Sequence, residues 1–438
     1  MSGAAIRPNA WALLPFGVFA VFYVGLSLAL GGCAQVPMPI AFLVASAVAL
    51  VMGRASWNDR IEIFARGMGE ANIMIMCLVF VLAGAFAGAA KGVGAVEAAV
   101  TLARACVPVD LMLAGVFGIS CLISLAVGTS CGTIAAVAPI ALGFAAPLDM
   151  RPAVLLGAVV GGAMFGDNLS MISDTTIAAT RTQGIAMREK FFANAKIALP
   201  AAGVCALGYV LFGRTDGATA ERVSLAGRDF LLVLPYLFVL AGALVGINVM
   251  ALLFLGTLFV SAFGLAFGGV HLADVLGFLG KGTLDMSETL IVALLAGGLF
   301  RLVEANGGVA ALTRWIARGV RGPASCAFGM FGLVALVNVF TANNTVAIVV
   351  AGPIARLCGE RFGVRPARMA SVLDTASCVV QGVLPYGAQV LIALGIAKTA
   401  AQPTDAFDLI LNLPYPFFLA AAVVVHLLAT GCRRAMRT

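Results

Sequence analysis

Residues 11–30 and 232–261 contain no charged side chain at all. About 20 apolar residues in an α-helix, rising about 1.5 Å each, are enough to cross the hydrocarbon of a bilayer. Inside lipid a helix satisfies its own backbone hydrogen bonds, which an open chain cannot do. Such runs recur along the whole chain, which makes it an all-α polytopic membrane protein. Composition agrees, with 62% hydrophobic and 11% charged residues, against about 45–50% and about 25% in soluble domains.

The net charge of +7 does not point to nucleic acid. The basic residues fall in short clusters between apolar runs, the pattern of cytoplasmic loops. The ten cysteines form no CxxC pair, and most sit in apolar runs, as Cys77, Cys121, Cys205 and Cys326 do. Small buried hydrophobes fit them better than disulfides or metal ligands. Neither His271 nor His426 lies near a cysteine set able to hold zinc, and His426 reads as a pore or packing residue. Arg7 followed by the first apolar run resembles a signal peptide, but the run is too long and more membrane follows.

The chain repeats itself. Pro139-Ile140-Ala141 recurs as Pro353-Ile354-Ala355, and Arg151-Pro152-Ala153 as Arg365-Pro366-Ala367, both 214 positions on (139 to 353, 151 to 365). Arg66-Gly67 matches Lys281-Gly282 one position further out of step. This divides the chain into a repeat over 1–213, a joining stretch over 214–228 and a second repeat over 229–438. Each half carries the same series of apolar runs, giving about 12–14 transmembrane segments in all. Amphipathic stretches near 92–108 and 306–321 suit an interface.

Arginine and lysine set the orientation. In the first half the clusters are Arg54, Arg60 and Arg66, then Arg181, Arg188 and Lys190. In the second half the equivalent of the first cluster holds only Lys281. The charge moves to Arg356, Arg361, Arg365 and Arg368. Equivalent loops therefore lie on opposite sides, an inverted repeat, with an odd number of crossings per half. Arg7 and the tail Arg433, Arg434 and Arg437 place both termini in the cytoplasm. Inverted repeats with broken or re-entrant helices are the plan of secondary transporters.

Four polar clusters interrupt the apolar runs, and intramembrane polar groups are functional candidates. The first runs from Gly166 to Thr176 and contains Asp167, Asn168, Ser170, Ser173, Asp174, Thr175 and Thr176. Asp167 lies roughly 24 Å along a helix counted from Arg151. Oxygen-rich groups at that depth suit a broken helix around a hard cation such as Na⁺. Helix capping by Ser and Asp is the structural alternative. The second is Gly128-Thr129-Ser130-Cys131-Gly132-Thr133, either an unwound ion-binding segment or a simple turn. The third, its repeat partner, holds Asn343, Asn344 and Thr345, which can cap a helix, ligate a cation or bind a carboxylate. The fourth holds Asp374, Thr375, Ser377, Gln381, Pro385 and Tyr386. Asp374 falls about 13 Å along its helix from Arg365, near the midplane. A charge there needs an ion, a proton or a hydrogen-bonded partner. The offset pairs Gln381 with Asp167 and Asp374 with Val160, so the halves have diverged at the site.

These residues resemble a known family. The stretch from Gly166-Asp167 to Ser173-Asp174-Thr175-Thr176 is similar to the signature of the NhaC-type Na⁺/H⁺ antiporters, roughly G-D-x-x-S-P-x-S-D-T-T. Gly128-Thr129-Ser130-Cys131-Gly132-Thr133 resembles that family's G-T-S-x-G-T. Met171 stands where the family usually has proline. The resemblance implies the ion-transporter superfamily and a prokaryotic cytoplasmic (inner) membrane. It implies no resident cofactor, Na⁺ and H⁺ being transported or coupling ions.

The antiport reading has Na⁺ and H⁺ competing for a buried carboxylate, with Asp167, Asp174 and Asp374 the candidates. Removal from water favours the protonated form of such a group. The site would cross between inward-open and outward-open states only when filled. The alternative is a Na⁺- or H⁺-coupled carrier of an amino acid or small organic acid, with Asn343-Asn344 on the substrate carboxylate. A third reading, an intramembrane aspartyl protease, fails on its motifs. Met164 stands where G-x-G-D needs glycine, and Leu373 where the partner motif needs tyrosine. The expected partners are the lipid bilayer and a monovalent cation, with a small carboxylate or amino acid under the alternative and a homodimer left open.

Overall fold

The computed structural model describes residues 7–26, 29, 36–53, 55–213 and 227–435. The end of the first apolar run at Leu30, Arg54, Arg437 and all but the last two residues of the joining stretch lie outside the described residues. Among these residues every regular element is helical. The first half contains α1 (Leu14–Ala20), α2 (Met38–Met52), α3 (Trp57–Met68), α4 (Ala71–Gly92), α5 (Ala95–Cys106), α6 (Met112–Val127), α7 (Ser130–Gly143), α8 (Pro152–Leu169), α9 (Asp174–Gln183) and α10 (Met187–Phe212). The second contains α11 (Gly227–Val245), α12 (Val249–Phe263), α13 (Leu272–Asp285), α14 (Ser287–Ala305), α15 (Gly308–Gly319), α16 (Pro323–Thr341), α17 (Asn344–Phe362), α18 (Pro366–Val383), α19 (Ala388–Thr399), α20 (Ala406–Leu411) and α21 (Pro414–Ala435).

Among the described residues, eight helical spans are long and apolar enough to cross a membrane, and five shorter apolar helices accompany them. Two of the long spans, Pro152–Gln183 and Pro366–Thr399, are the broken pairs α8–α9 and α18–α19. Local sequence dictates their ends. Pro152 and Pro366 open α8 and α18, where a missing N–H costs nothing. Ser173 caps α9 by accepting from Thr176 N. Pro385 lies in the second break, where it cannot donate to a helical ladder.

Contacts between the halves give the direction of each helix. The α8–α9 span begins at Arg151, which is ion-paired to Asp408 ahead of α21. At the same end Gln402 donates to the Leu142 carbonyl (3.2 Å), so α7 runs from the centre towards this Arg151 end. The span finishes at Gln183, which donates to the Gly352 carbonyl in α17 (2.9 Å). So α17, the counterpart of α7, runs towards the opposite Arg181 end. Asn9 N donates to the Gly307 carbonyl (3.0 Å) after α14, which puts residue 9 at the Arg181 end as well. Counterpart helices thus point in opposite directions. Helices α6 and α7 form a re-entrant hairpin from the Arg151 end, and α16 and α17 form one from the Arg181 end.

Glycines carry the tightest crossings. A Cβ on Gly282 of α13 would lie 2.1 Å from the Gly84 carbonyl oxygen of α4. A Cβ on Gly67 of α3 would lie 2.5 Å from the Gly297 oxygen of α14, the equivalent contact in the other half. Without a hydrophobic drive between helices in lipid, such close backbone approach supplies the packing energy. Gly280, one turn-face away on α13, meets nothing within 4 Å. Gly282→Val should therefore destabilise the detergent-solubilised protein by about 1–3 kcal/mol, the usual cost of overpacking. Gly280→Ala should leave its thermal midpoint unchanged or slightly raised.

Candidate ion-binding site

The tips of both hairpins and both helix breaks converge on one cavity of about 160 Å³. Its walls come in repeat-related pairs, each 214 positions apart. They are Gly128 with Ala342, Thr129 with Asn343, Ser130 with Asn344, Cys131 with Thr345, Asp167 with Gln381, Asp174 with Ala388, and Thr175 with Gln389. The cavity therefore lies on the pseudo-twofold axis. Beside it Cys378 of α18 donates through Sγ to the carbonyl of its own counterpart, Met164 of α8 (3.7 Å). Among the described residues, α4 breaks the symmetry of the lining through Asn72, Ile75, Met76 and Val79.

The hairpin tips turn through left-handed residues. Gly128 adopts φ 74° at no steric cost, whereas Ala342 holds φ 49°. A side chain in that region costs roughly 1–2 kcal/mol. Tertiary contacts hold the strained tip: Asn338 Nδ2 donates to the Ser377 carbonyl (2.8 Å), and Tyr386 OH to the Val339 carbonyl (2.7 Å). Gln381 Nε2 donates to the Ala342 carbonyl itself (2.9 Å).

The Asp167 carboxylate accepts from Ser130 Oγ (2.7 Å) and Ser130 N (3.3 Å). It thus sits on the N-terminus of α7, where the helix dipole favours negative charge. Gln389 Nε2 donates to the same Ser130 Oγ (2.8 Å). These donations turn the amide oxygens of Gln381 and Gln389 away from their donors. Both oxygens are buried and accept no hydrogen bond. Asp174, in the first turn of α9, is exposed to the cavity. The lining residues therefore bring two carboxylates, the side-chain amides of Asn72, Asn343, Asn344, Gln381 and Gln389, and several hydroxyls. Among the described residues the lining includes no Lys or Arg.

A second network lies directly behind. Lys190 of α10 is fully buried and ion-paired to Asp374 of α18, which is 1% exposed. Ending α8 at Leu169 strips the last carbonyls of their helical donors. Lys190 Nζ fills one such vacancy at Asn168 O (2.5 Å) and also donates to Thr176 Oγ1 (2.6 Å). Asn194 Nδ2 reaches Asn168 Oδ1 (2.6 Å) and Asp374 Oδ2 (3.0 Å). Thr176 Oγ1 donates to the Ser170 carbonyl (2.7 Å) inside the break.

Of the sequence candidates, Asp167, Asp174, Thr175, Thr129, Ser130, Asn343, Asn344, Thr345 and Gln381 line the cavity. The others do not. Asn168, Ser170, Ser173, Thr176 and Asp374 belong to the break and the network behind it. Thr133 and Thr375 bond back onto their own helices at Thr129 and Ser371. Asn343 acts as a cap, its Oδ1 accepting from Val346 N (3.0 Å). Lys190 corrects the sequence reading: it is not a loop charge but the partner that Asp374 needs. Helix α10 begins at Met187, so Lys190 already faces inward. Gln389 was also missed, although the 214-residue offset from Thr175 points to it. Asn72 and Asn194 carried no repeat signal.

An all-helical inverted bundle with broken helices around a central polar cavity defines a polytopic secondary transporter. A profile of the Na⁺/H⁺ antiporter family matches residues 8–214 and 219–432, and the chain belongs to that family. It is 24% identical over 330 residues to an uncharacterized Na⁺/H⁺ antiporter of Haemophilus influenzae, covering 65% of this chain and 69% of that protein. It is 21% identical to the malate-2H⁺/Na⁺-lactate antiporter of Bacillus subtilis, over 88% of both chains. It is 22% identical to the Na⁺/H⁺ antiporter NhaC of Alkalihalophilus pseudofirmus, over 93% and 92% of the two chains.

Removing one partner of a buried ion pair strands the other, at a cost of about 3–5 kcal/mol. Lys190→Met and Asp374→Leu should each lose that much stability. Lys190→Met with Asp374→Leu together should recover most of it, read as folded yield and thermal midpoint in detergent.

Proposed function

We propose that this protein is a Na⁺/H⁺ antiporter in which Na⁺ and H⁺ compete for Asp167 and Asp174 in the axial cavity. The observation that carries this reading is the lining itself: two carboxylates among neutral amides and hydroxyls, with no basic side chain among the described residues. Hard cations take oxygen ligands, and Na⁺ or a proton neutralises a carboxylate that lipid-buried surroundings penalise. Asp374, tied to Lys190, positions the broken helices and is not a cation ligand. The lining also argues against a carboxylate substrate, which two aspartates would repel.

Alternating access follows from the symmetry. The cavity shares Asn72, Asn343 and Thr345 with a second cavity of about 240 Å³ that also touches Glu70, Arg301 and Glu304. That cavity lies at the Arg181 end, so this conformation is open to that side. Exchanging the roles of α4 and its counterpart α14 opens the site to the other. The units that exchange are the repeats 1–213 and 229–438, joined by 214–228. The Arg181 end carries Arg60, Arg66, Arg188, Arg356, Arg361, Arg365 and the amphipathic α15 with Arg314 and Arg318. The positive-inside rule makes it the cytoplasmic end. A fluorescent protein fused after residue 438 should therefore fluoresce, and alkaline phosphatase fused there should stay inactive; the reverse pattern rejects this orientation.

Proton flux in proteoliposomes with a preset pH gradient tests the exchange. Na⁺ or Li⁺ should dissipate the gradient with the unaltered protein. Asp167→Asn removes a charge-assisted ligand worth roughly 1.5–3 kcal/mol, so Na⁺ affinity should fall about ten- to hundredfold. If no cation moves protons through folded protein while labelled malate, lactate or amino acids are taken up, the carrier reading replaces this one.

A further inference from the structure

A separate cavity of about 790 Å³ opens at the Arg181 end between α10, α18 and α21. Its polar walls are basic: Lys196, Arg365 and Arg368, beside His426, against the single acid Glu189. Arg365 is also the N-cap of the 18-residue helix α18, whose first turn has no side-chain cap and whose positive dipole end faces the cavity. Deeper in, the Ser371 hydroxyl is 2% exposed and has no hydrogen-bond partner. It is a donor waiting for an acceptor.

Lys196 sits about 14 Å along α10 from Met187, well inside a membrane span. A cation at that depth must be matched by an anion or reach for the interface. The remaining walls are apolar, through Phe192, Ile197 and Val372. On either side of the mouth, α10 exposes Phe192 (53%) and Leu199 (54%), and α21 exposes Val425 (65%) and Leu428 (57%). These are surfaces for acyl chains. These lipid-facing flanks adjoin the basic walls, so a molecule with both an anionic headgroup and acyl chains can use both.

We propose that this cavity binds the phosphate headgroup of an anionic phospholipid from the leaflet at the Arg181 end. Lys196, Arg365 and Arg368 hold the phosphate, Ser371 donates to it, and the acyl chains lie on α10 and α21. The same α10 and α18 carry Lys190 and Asp374, so a bound headgroup clamps the two helices that the buried pair joins. Basic pockets between transmembrane helices on the cytoplasmic side have the chemistry this requires.

The test uses full-length protein in nonionic detergent, following the thermal midpoint during titration with phosphatidylglycerol, phosphatidylcholine or inorganic phosphate. Phosphatidylglycerol should raise the midpoint by several degrees, phosphatidylcholine and phosphate by far less. Lys196→Gln with Arg365→Gln should weaken the phosphatidylglycerol response roughly fivefold for each cation removed. Arg314→Gln with Arg318→Gln, which removes the same charge from α15, should not weaken it. Lys196→Arg with Arg365→Lys, which keeps the charge, should retain it and guards against loss of fold in the Gln variant. The proposal is overturned if the two lipids act alike, if the double Gln variant binds as well as the unaltered protein, or if the α15 control loses as much. A response to inorganic phosphate equal to that of phosphatidylglycerol makes this a site for a soluble anion and overturns the lipid assignment.

Discussion

A lysine ammonium and an aspartate carboxylate, both out of contact with solvent, tie α10 to α18 at the centre of the bundle. Neither charge could stand alone in an apolar interior, because the desolvation of each is repaid only by the other and by further hydrogen bonds. The surroundings supply those bonds. Lys190 also serves the Asn168 carbonyl, which is open because α8 stops at Leu169. Asn194 bridges Asn168 and Asp374. The helix break is thus affordable where it falls, since its loose carbonyl meets a cation already held by an anion. With Asp374 neutralised in this way, Asp167 and Asp174 are the carboxylates left facing the cavity.

The repeat brings equivalent residues to one place and then makes them chemically different. Ser130 and Asn344 occupy matching positions, as do Thr175 and Gln389. Asp167 is matched by Gln381, so one side supplies a carboxyl group and the other a neutral amide. Symmetry in backbone and asymmetry in side chains have separate consequences. The backbone brings matching positions of the two halves to the axis. The side chains put both cavity carboxylates, Asp167 and Asp174, on the side of the first repeat. Strain follows the same division: Gly128 turns its tip freely, while Ala342 is forced through the same turn and held by Gln381.

The close glycine crossings complete the frame. Gly84 against Gly282 and Gly67 against Gly297 bring α4 to α13 and α14 to α3 at backbone distance. Their small residues let the helix backbones approach this closely. Helix α4 also lines the axial cavity through Asn72, Ile75, Met76 and Val79.

The apolar runs, the 214-residue offset and the distribution of arginine and lysine determined the helical class and the inverted plan, and pointed to the region of the candidate site. These are properties of composition and spacing, and lipid leaves a chain of such runs few other choices. The polar clusters at Gly128, Gly166, Asn343 and Asp374 were legible for the same reason, since hydrophilic groups interrupting membrane spans are costly. Only the tertiary structure decided which of those groups face the cavity. Asp167 and Asp374 look alike as isolated intramembrane acids, yet one meets Ser130 across a hairpin tip and the other meets Lys190 from a distant helix. Helical periodicity reports which face a residue occupies, but not which helix packs against that face. Lys190 lies beside Arg188 in a basic cluster, and nothing in its neighbours along the chain separates a loop charge from a buried one. That distinction arises from the packing of α8, α10 and α18 around the break, a contact among residues far apart in sequence.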